Sequence, residues 1–440
     1  MFSEVESMLL QFKVKNYRSL RDEAILDMEA AALHDQKENL LLFGNKEYLP
    51  AVAIYGKNGG GKSNIIRAMW LAVQFVCNAQ KTQTEQSLVP VNPFALNDYS
   101  SQEPTEFEFA YVQDNIKYVY GFSATRKEIV SEYLRAWPHG REKLIFSRTY
   151  QKFKFPQNNE KKRKQLIKEA VGPNQLFFAI SCTMNYQPCI AAMKWFREKV
   201  LFSRDFTDIN RNLIEYSEDE TMLRAIVSAA KKADLGIEDI RFEIDSQSID
   251  FDHLEKYPAQ VRGMVQALRA FQEALHQNAN EAEIQLNAGK LKSTTIHNGV
   301  DRKGNPALYP LALGDESDGT RRLMTLAPAL EKTLSNGGVF IVDELEREMH
   351  IKLIEYVVGQ YQQKSNNPNH AQIIFTTHQT ALLNQETLRR DQIYLVDKNS
   401  KSGASILYSV ADFNIRNDLN IEKAYLIGKF GAIPLIGEVE

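Results

Sequence analysis

The sequence predicts an α/β fold that combines a mixed sheet, an antiparallel sheet and a compact, mainly helical insert. Short apolar runs at residues 51–55 and 338–342 have the composition of buried parallel strands. Residues 106–134 alternate apolar and polar side chains as antiparallel strands do, and residues 155–280 show mostly helical spacing. A chain of 440 residues is long enough to bury a large core and to form two lobes.

A glycine-rich segment follows the first apolar run directly. Glycines allow backbone N–H groups to turn inward around an anion, Lys62 can reach terminal phosphates, and Ser63 can hold a magnesium ion. Residues 64–70 have helical apolar spacing, so the positive end of a helix also faces the anion. The flanking strand and helix disfavour the alternative, a plain surface turn. The segment therefore predicts a nucleoside triphosphate site formed by Gly56, Asn58, Gly59, Gly60, Gly61, Lys62, Ser63 and Asn64.

The apolar run at 338–342 ends in two carboxylates, Asp343 and Glu344. A buried parallel strand would deliver both to the C-terminal edge of its sheet. Beside a bound nucleotide we expect Asp343 to bind magnesium through water, and Glu344 to orient or deprotonate the attacking water. Taken alone, the pattern is more typical of a strand followed by a polar loop, and the phosphate loop reverses that preference.

A second candidate for phosphate contact lies at the start of a predicted helix, in Ser317-Asp318-Gly319. A hydroxyl and free backbone N–H groups there lie at the positive end of the helix dipole. Taken alone, an ordinary N-cap is the better explanation of Ser and Asp at a helix start. The position of the motif shortly before the Asp343 strand favours the phosphate-binding interpretation of Ser317 and Gly319.

In these motifs and in their order, the chain resembles ABC-type ATPases of the RecF and SMC kind. The resemblance covers both ends of the chain and implies an ABC-type P-loop ATPase head with a compact lid. It is carried by four segments, which are residues 12–20, 56–64, 317–319 and 373–378.

The resemblance implies that two heads meet face to face, with each ATP between the phosphate loop of one head and the signature motif of the other. ATP with Mg²⁺ would then hold a homodimer or a larger homo-oligomer together, and slow hydrolysis would weaken it. Arg18 and Tyr17 are candidates for contacts near the adenine or the phosphates, and a strand-to-turn role is equally open. The resemblance also implies which residues act on each ATP. Within the head that binds it, these are Lys62, Ser63, Asp343, Glu344 and the phosphate sensor His378. Ser317 and Gly319 act on the ATP that is bound to the other head.

After the two carboxylates comes the segment 345–350, where many relatives carry a different acidic stretch. Glu346 and His350 are candidates for a loop at the dimer interface, and an ordinary solvated or core histidine is the other interpretation of His350. The glutamine that links magnesium to the lid in this family is not assigned, since Gln102 and Gln113 both lie near its expected position.

We expect residues 1–154 and 281–440 to form the two halves of the head, and residues 155–280 to form the lid. A stripe of apolar side chains from Val261 to Leu275 indicates a helix in the lid, and no heptad pattern persists as a long coiled coil requires. The chain after Val396 is expected to be too short for an appended nuclease domain, so effector chemistry would belong to a partner.

Composition predicts a cytoplasmic protein without a membrane span or a signal peptide. The three cysteines, Cys77, Cys182 and Cys189, have no metal-ligand spacing and fit a reducing compartment. A net charge of −3 gives no general attraction for nucleic acid. The basic segment 152–168, which contains two phenylalanines, leaves nucleic-acid contact open beside the simpler interpretation of a solvated helix start.

The C-terminal segment 426–436 resembles the ending of bacterial ATPases encoded beside toxins or nucleases in phage-defence operons, namely AbiLi-like, PtuA-like and AriA-like proteins. That resemblance implies an ATP-binding, slowly hydrolysing sensor subunit that controls a nuclease or toxin partner. A plain glycine-containing tail is the simpler interpretation of the segment. Two other functions stay open: a RecF-like repair or replication ATPase that binds DNA directly, and a stand-alone enzyme with fast turnover.

Overall fold

The computed structural model describes residues 6–33, 35–78, 89–156, 161–216, 218–234, 236–248, 287–384, 386–413 and 419–433. The chain divides into two compact units, Met1–Thr207 with Leu326–Glu440, and Asp208–Thr325. The apolar stripe predicted from Val261 to Leu275 lies outside the described residues. The segment boundaries predicted at residues 155 and 281 stay a prediction.

The strands are, in chain order, Ser7–Lys15 (β1), Ala24–Asp27 (β2), Leu41–Phe43 (β3), Lys46–Tyr48 (β4), Ala51–Tyr55 (β5), Thr105–Gln113 (β6), Ile116–Ala124 (β7), Ile129–Trp137 (β8), Lys143–Thr149 (β9), Lys152–Lys154 (β10), Val200–Phe202 (β11), Ile237–Ser248 (β12), Asn287–Val300 (β13), Pro306–Ala312 (β14), Val339–Val342 (β15), Gln372–Thr376 (β16), Ile393–Lys398 (β17) and Ser405–Ser409 (β18). The α-helices are Lys62–Asn78 (α1), Lys161–Ala170 (α2), Phe177–Thr183 (α3), Gln187–Lys194 (α4), Ile209–Glu215 (α5), Glu220–Ala233 (α6), Asp318–Asn336 (α7), Ile351–Gln362 (α8) and Ile421–Leu426 (α9).

The first unit contains a seven-stranded antiparallel sheet in the order β10-β9-β8-β7-β6-β1-β2. Strand β6 shows why these residues form it: Phe107, Phe109 and Tyr111 are buried, while Glu106 and Glu108 between them are more exposed. This alternation has the period of two that a half-buried strand requires. The antiparallel sheet predicted from residues 106–134 is therefore confirmed.

A buried ion pair connects this sheet to helix α3. Glu132 on β8 and Arg148 on β9 have fully buried side chains, with Arg148 Nε 3.0 Å from Glu132 Oε2. The same carboxylate accepts the backbone N–H groups of Phe177 and Phe178, at 2.8 and 2.9 Å. The first N–H groups of a helix have no partner within the helix, so Glu132 caps α3. The same carboxylate neutralises the buried charge of Arg148.

The first unit also contains a six-stranded mixed sheet in the order β11-β15-β16-β5-β17-β18. The first five strands are parallel, and β18 is the antiparallel edge. Strands β5, β15 and β16 are buried along their whole length, as expected for parallel strands covered on both faces. Neighbouring parallel strands end at the same edge of a sheet, so the residues that follow β5, β15 and β16 meet there.

One buried amide joins the seven-stranded and six-stranded sheets of the first unit. Gln372, at the start of β16, accepts the Leu9 N–H at 2.7 Å and donates to the Leu9 carbonyl at 3.1 Å. Its Nε2 also donates to the Leu49 carbonyl at 3.1 Å, next to the start of β5. Gln372 is completely buried, so these bonds satisfy backbone groups that water cannot reach.

The second unit combines helices α5 and α6 with the antiparallel sheet β12-β13-β14 and the first turns of α7. Asp219 caps α6 by accepting the N–H groups of Thr221 and Met222 at 3.1 and 3.2 Å. The described elements from residue 161 to residue 233 are mainly helical. The prediction of helical structure over residues 155–280 is wrong at β12, whose residues 237–248 form a strand, and β13 and β14 were not predicted either.

Within the described ranges, no helix combines the length and the apolar composition that crossing a bilayer requires.

Replacing Gln372 by Leu should destabilise the first unit. The change leaves the buried N–H and carbonyl of Leu9 and the carbonyl of Leu49 without their partner, at about 1–3 kcal/mol for each unsatisfied group. Urea denaturation of the wild-type protein and the variant measures the difference, with Gln102→Leu at an exposed position as the control. An unchanged free energy of unfolding would show that the amide does not join the sheets energetically.

Candidate nucleotide-binding site

The loop between β5 and α1 depends on glycine at two positions. Gly56 has φ of +149°, and a Cβ there would lie 2.3 Å from the Val396 carbonyl oxygen. Gly61 has φ of +116°, and a Cβ there would lie 2.6 Å from the Ser405 hydroxyl. Both contacts are shorter than atoms can tolerate, so no other residue fits. The order of elements is strand β5, the glycine-rich loop and then helix α1, which is the arrangement predicted for phosphate binding.

Lys62 is held over this loop at the start of α1. Its Nζ donates to the Gly56 carbonyl at 2.7 Å and to the Lys57 carbonyl at 3.3 Å. Burial lowers the pKa of Lys62, and the carboxylates of Glu346, Asp343 and Glu344 oppose that shift in decreasing order. The lysine is therefore a partly desolvated cation among three carboxylates, which favours its charged form for contact with phosphate.

Asp343, directly after β15, connects the start of α1 to the end of β16. Its Oδ1 accepts the hydroxyl of Ser63, one residue into α1, at 3.0 Å, and the hydroxyl of Thr376, at the end of β16, at 2.7 Å. A hydroxyl and a carboxylate are the oxygen ligands that Mg²⁺ prefers. The two oxygen atoms lie 3.0 Å apart, so a cation bound by the Ser63 hydroxyl would lie close to the Asp343 carboxylate. Ser63 and Asp343 therefore fit a magnesium ion.

Glu344 lies at the entrance of a tight turn. It is exposed and has φ of +55°, a left-handed conformation that is uncommon for a residue with a side chain. Two bonds to Thr376 hold it there: the Glu344 N–H donates to the Thr376 hydroxyl at 2.7 Å, and the Leu345 N–H donates to the Thr376 carbonyl at 3.1 Å. A strained residue held by its surroundings is typical of functional sites.

His378 follows β16 and joins the same site. Its N–H donates to Glu346 Oε1 at 2.7 Å. Burial lowers the pKa of His378, Lys62 lowers it further, and Glu346 and Glu344 raise it. Charges shift a pKa only when they are near the titrating group. His378 therefore shares one electrostatic environment with Lys62 and with the carboxylates after β15.

The remaining residues predicted around the loop divide into two groups. Asn64 Nδ2 donates to the Ser19 hydroxyl at 2.8 Å, which ties α1 to the N-terminal segment. Asn58 and Gly59 are exposed on the loop. Arg18 is also exposed, has φ of +49°, and its guanidinium lies 5.8 Å from the centre of the Tyr17 ring. These contacts of Arg18 agree with the turn role that the sequence left open.

Two polar contacts on the far side of the loop were not predicted. The Ser405 hydroxyl, at the start of β18, donates to the Gly60 carbonyl at 2.6 Å. Lys57 Nζ lies 3.0 Å from Asp397 Oδ1, on β17. Both partners lie more than 300 residues from the loop in sequence, and only the position of β17 beside β5 brings them near. No local sequence signal identifies them.

The C-terminal helix α9 also lies against the loop. The Tyr425 hydroxyl donates to the Ala432 carbonyl at 3.3 Å, and the rings of Tyr55 and Tyr425 pack edge to face at 6.0 Å. Burial raises the pKa of Tyr425, and the neighbouring Gly56 N–H opposes that shift. Glu422 accepts the hydroxyl of Thr380 at 2.9 Å, two residues after His378. Helix α9, which directly precedes most of the segment 426–436, thus contacts both Tyr55, at the start of the phosphate loop, and Thr380, after His378.

In the second unit, Ser317 acts as a helix cap. Its hydroxyl accepts the Thr320 N–H at 3.1 Å, at the start of α7, and Gly319 is the second residue of that helix. The preceding residue, Glu316, is buried and accepts from the Thr295 hydroxyl and from His297 Nε2, the latter at 2.7 Å. The cap is observed, and the contact of Ser317 and Gly319 with a nucleotide stays a prediction.

His350 is also a helix cap, because its Nδ1 accepts the Lys352 N–H at 3.2 Å at the start of α8. This contact agrees with an ordinary structural histidine.

The aromatic side chains of the basic segment pack inward. Phe153 and Phe155 stack on each other at 6.0 Å and contact Phe177, while the Lys164 ammonium lies 5.4 Å from the centre of the Phe155 ring. Rings that pack against the core are not available to stack on bases. Exposed charge remains at Lys162, on α2.

The fold and the glycine-rich loop between β5 and α1 together define a P-loop ATPase domain. The sequence matches the family described as "AAA domain, putative AbiEii toxin, Type IV TA system" over residues 51–384. The match covers more than half of the chain, which therefore belongs to this family.

Several solved structures are similar to the chain. An SMC head bound to the C-winged helix domain of ScpA is 13% identical, with a TM-score of 0.40 over 91% of this chain and 97% of that one. The SMC head domain from Thermotoga maritima is 12% identical, with a TM-score of 0.38 over 91% and 98%. The recombination mediator protein RecF is 12% identical, with a TM-score of 0.36 over 93% and 100%. No curated protein sequence matches the chain.

Tyr425→Phe should weaken nucleotide binding without unfolding the protein. The change removes the hydroxyl that lies near the Gly56 N–H and donates to the Ala432 carbonyl at 3.3 Å, and it keeps the ring against Tyr55. Loss of one such bond corresponds to about a threefold to tenfold lower affinity. Titration with a fluorescent ATP analogue measures it, and Tyr309→Phe on β14 is the control; equal affinity in all three proteins would contradict the role of Tyr425.

Proposed function

We propose that the protein is the ATP-dependent sensor subunit of a bacterial anti-phage system that controls a nuclease or toxin partner. The observation that carries the proposal is the assembly of Ser63, Asp343, Glu344 and His378 around Lys62, in a chain whose family description names an abortive-infection toxin. The resemblance of segment 426–436 to defence ATPases supports the same function.

Each side chain has a role that its geometry supports. Lys62 binds the terminal phosphates, and Ser63 and Asp343 hold Mg²⁺, which neutralises phosphate charge when bound. Glu344 orients the attacking water, and His378 contacts the terminal phosphate. Turnover is low, because the nucleotide acts as a switch and not as a consumed substrate.

Ser317 and Gly319 act on the nucleotide of a second copy of the chain. The protein is then a homodimer or a larger homo-oligomer with ATP at the interfaces between heads, and hydrolysis loosens the contact. The chain works in the cytoplasm, and the nuclease or toxin activity belongs to the partner.

The alternative is a RecF-like repair or replication ATPase that binds DNA directly. The exposed basic side chains of α2 and β10 support it, since charge alone gives affinity for phosphate that falls steeply with salt. The inward packing of Phe153 and Phe155 disfavours this segment as a binding platform for single strands.

Affinity purification of the tagged protein from its host, with neighbouring genes intact, distinguishes the two functions. We expect a stoichiometric nuclease or toxin by mass spectrometry, and a native mass of at least two copies of the chain. Recovery of the chain with DNA and without a protein partner would overturn the defence proposal in favour of the repair function.

Lys62→Ala and Glu344→Gln should both abolish phage protection for different reasons. Loss of the Lys62 charge should weaken ATP binding by about 100-fold, since charge-assisted bonds to phosphate are strong. Glu344→Gln should keep ATP binding and slow hydrolysis by at least about 100-fold, which traps the ATP-bound oligomer.

Plaque assays, ATP binding and phosphate release measure these effects, with Lys352→Ala on the exposed surface of α8 as the control. Protection retained by both variants would show that ATP does not control the switch.

A further inference from the structure

The turn after β15 carries a carboxylate, Glu346, whose surroundings differ from those of Glu344. The turn is held by bonds from the Arg347 N–H to the Glu344 carbonyl at 3.1 Å and from the Met349 N–H to the Glu346 carbonyl at 3.0 Å. Leu345 is fully buried and anchors it to the core. As a result, Glu344 is exposed while the Glu346 side chain is partly buried beside His378.

The two carboxylate oxygens of Glu346 are used unequally. Oε1 accepts the His378 N–H at 2.7 Å. Oε2 is buried and has no hydrogen-bond partner among the described residues. A buried polar atom without a partner is costly and uncommon, so a carboxylate kept only to cap a loop would not be expected to have one.

Of the carboxylates that affect the pKa values of Lys62 and His378, Glu346 has the largest effect. It raises the pKa of Lys62 more than Asp343 and Glu344 do, against the lowering caused by burial. It raises the pKa of His378 more than Glu344 does, against burial and the charge of Lys62. The charge of Glu346 therefore affects both Lys62 in the phosphate loop and His378 after β16.

We propose that Glu346 is a positioning residue of the ATPase site, which fixes the backbone of His378 and keeps the histidine beside Lys62. The proposal rests on the proposed ATPase function for its catalytic consequence, and its structural part is independent of hydrolysis. The unpartnered Oε2 remains an acceptor for a water molecule that enters with the nucleotide.

Hydrogen exchange of the full-length protein tests the structural part. Glu346→Ala removes the acceptor of the His378 N–H, so exchange of amides in residues 376–380 should accelerate about tenfold or more, as expected for loss of a charge-assisted bond. Glu346→Gln keeps an acceptor oxygen and should show a smaller increase. The matched control is Glu348→Gln, in the same turn, where the side chain is exposed and lies 3.5 Å from Arg347.

Kinetics tests the catalytic part. We expect kcat for ATP to fall about 100-fold in Glu346→Ala and about tenfold in Glu346→Gln, with ATP affinity within about threefold of wild type, because misplacing a catalytic group affects the rate more than binding. Glu348→Gln should match the wild type.

The outcomes separate this proposal from the proposed function. Unchanged exchange in Glu346→Ala, a normal kcat in both Glu346 variants, or equal losses in Glu348→Gln would each overturn the role of Glu346. A loss confined to ATP affinity would overturn it too. Absence of hydrolysis in the wild type, with faster exchange in Glu346→Ala, would overturn the ATPase function and leave the contact with His378 established.

Discussion

The carboxylate of Asp343 is the contact on which the site depends. It accepts hydroxyls from Ser63, near the start of α1, and from Thr376, at the end of β16, so α1, β15 and β16 meet at one oxygen atom. This is possible because β15, β16 and β5, the strand that leads into α1, are parallel neighbours whose C-terminal ends share one edge of the sheet. Loss of the carboxylate would leave two hydroxyls without an acceptor.

Thr376 shows how the same geometry supports a strained residue. Left-handed backbone at a residue with a side chain costs on the order of 1–3 kcal/mol, and Glu344 has φ of +55°. The Thr376 hydroxyl accepts the Glu344 N–H, the Thr376 carbonyl accepts the Leu345 N–H, and the buried Leu345 prevents the turn from relaxing. The cost is offset by contacts on both sides of Glu344, which leave its carboxylate exposed at the sheet edge.

The parts of the site that the sequence predicted are those with a local chemical signature. Gly56, Lys62 and Ser63 lie within one short segment, and Asp343 and Glu344 end one apolar run, so spacing alone predicts their positions. Ser405 and Tyr425 lie far from the loop in sequence and reach it through the pairing of β17 with β5 and the packing of α9. No sequence pattern near either residue predicts these contacts. For the fold, the alternation of apolar and polar residues predicted strands β6 to β8. Strand β12 was not predicted because it lies within the region 155–280 that was assigned to helices, and β13 and β14, which follow that region, were not predicted either.

The packing of α9 gives the C-terminal segment a mechanical connection to the nucleotide site. Tyr425 lies near the Gly56 N–H at the start of the phosphate loop. Glu422 accepts a hydrogen bond from the hydroxyl of Thr380, two residues after His378. A helix of this length has little stability of its own, so its position depends on these contacts and on the packing of Tyr55. A shift of either the phosphate loop or the segment 378–380 would therefore change the support of α9.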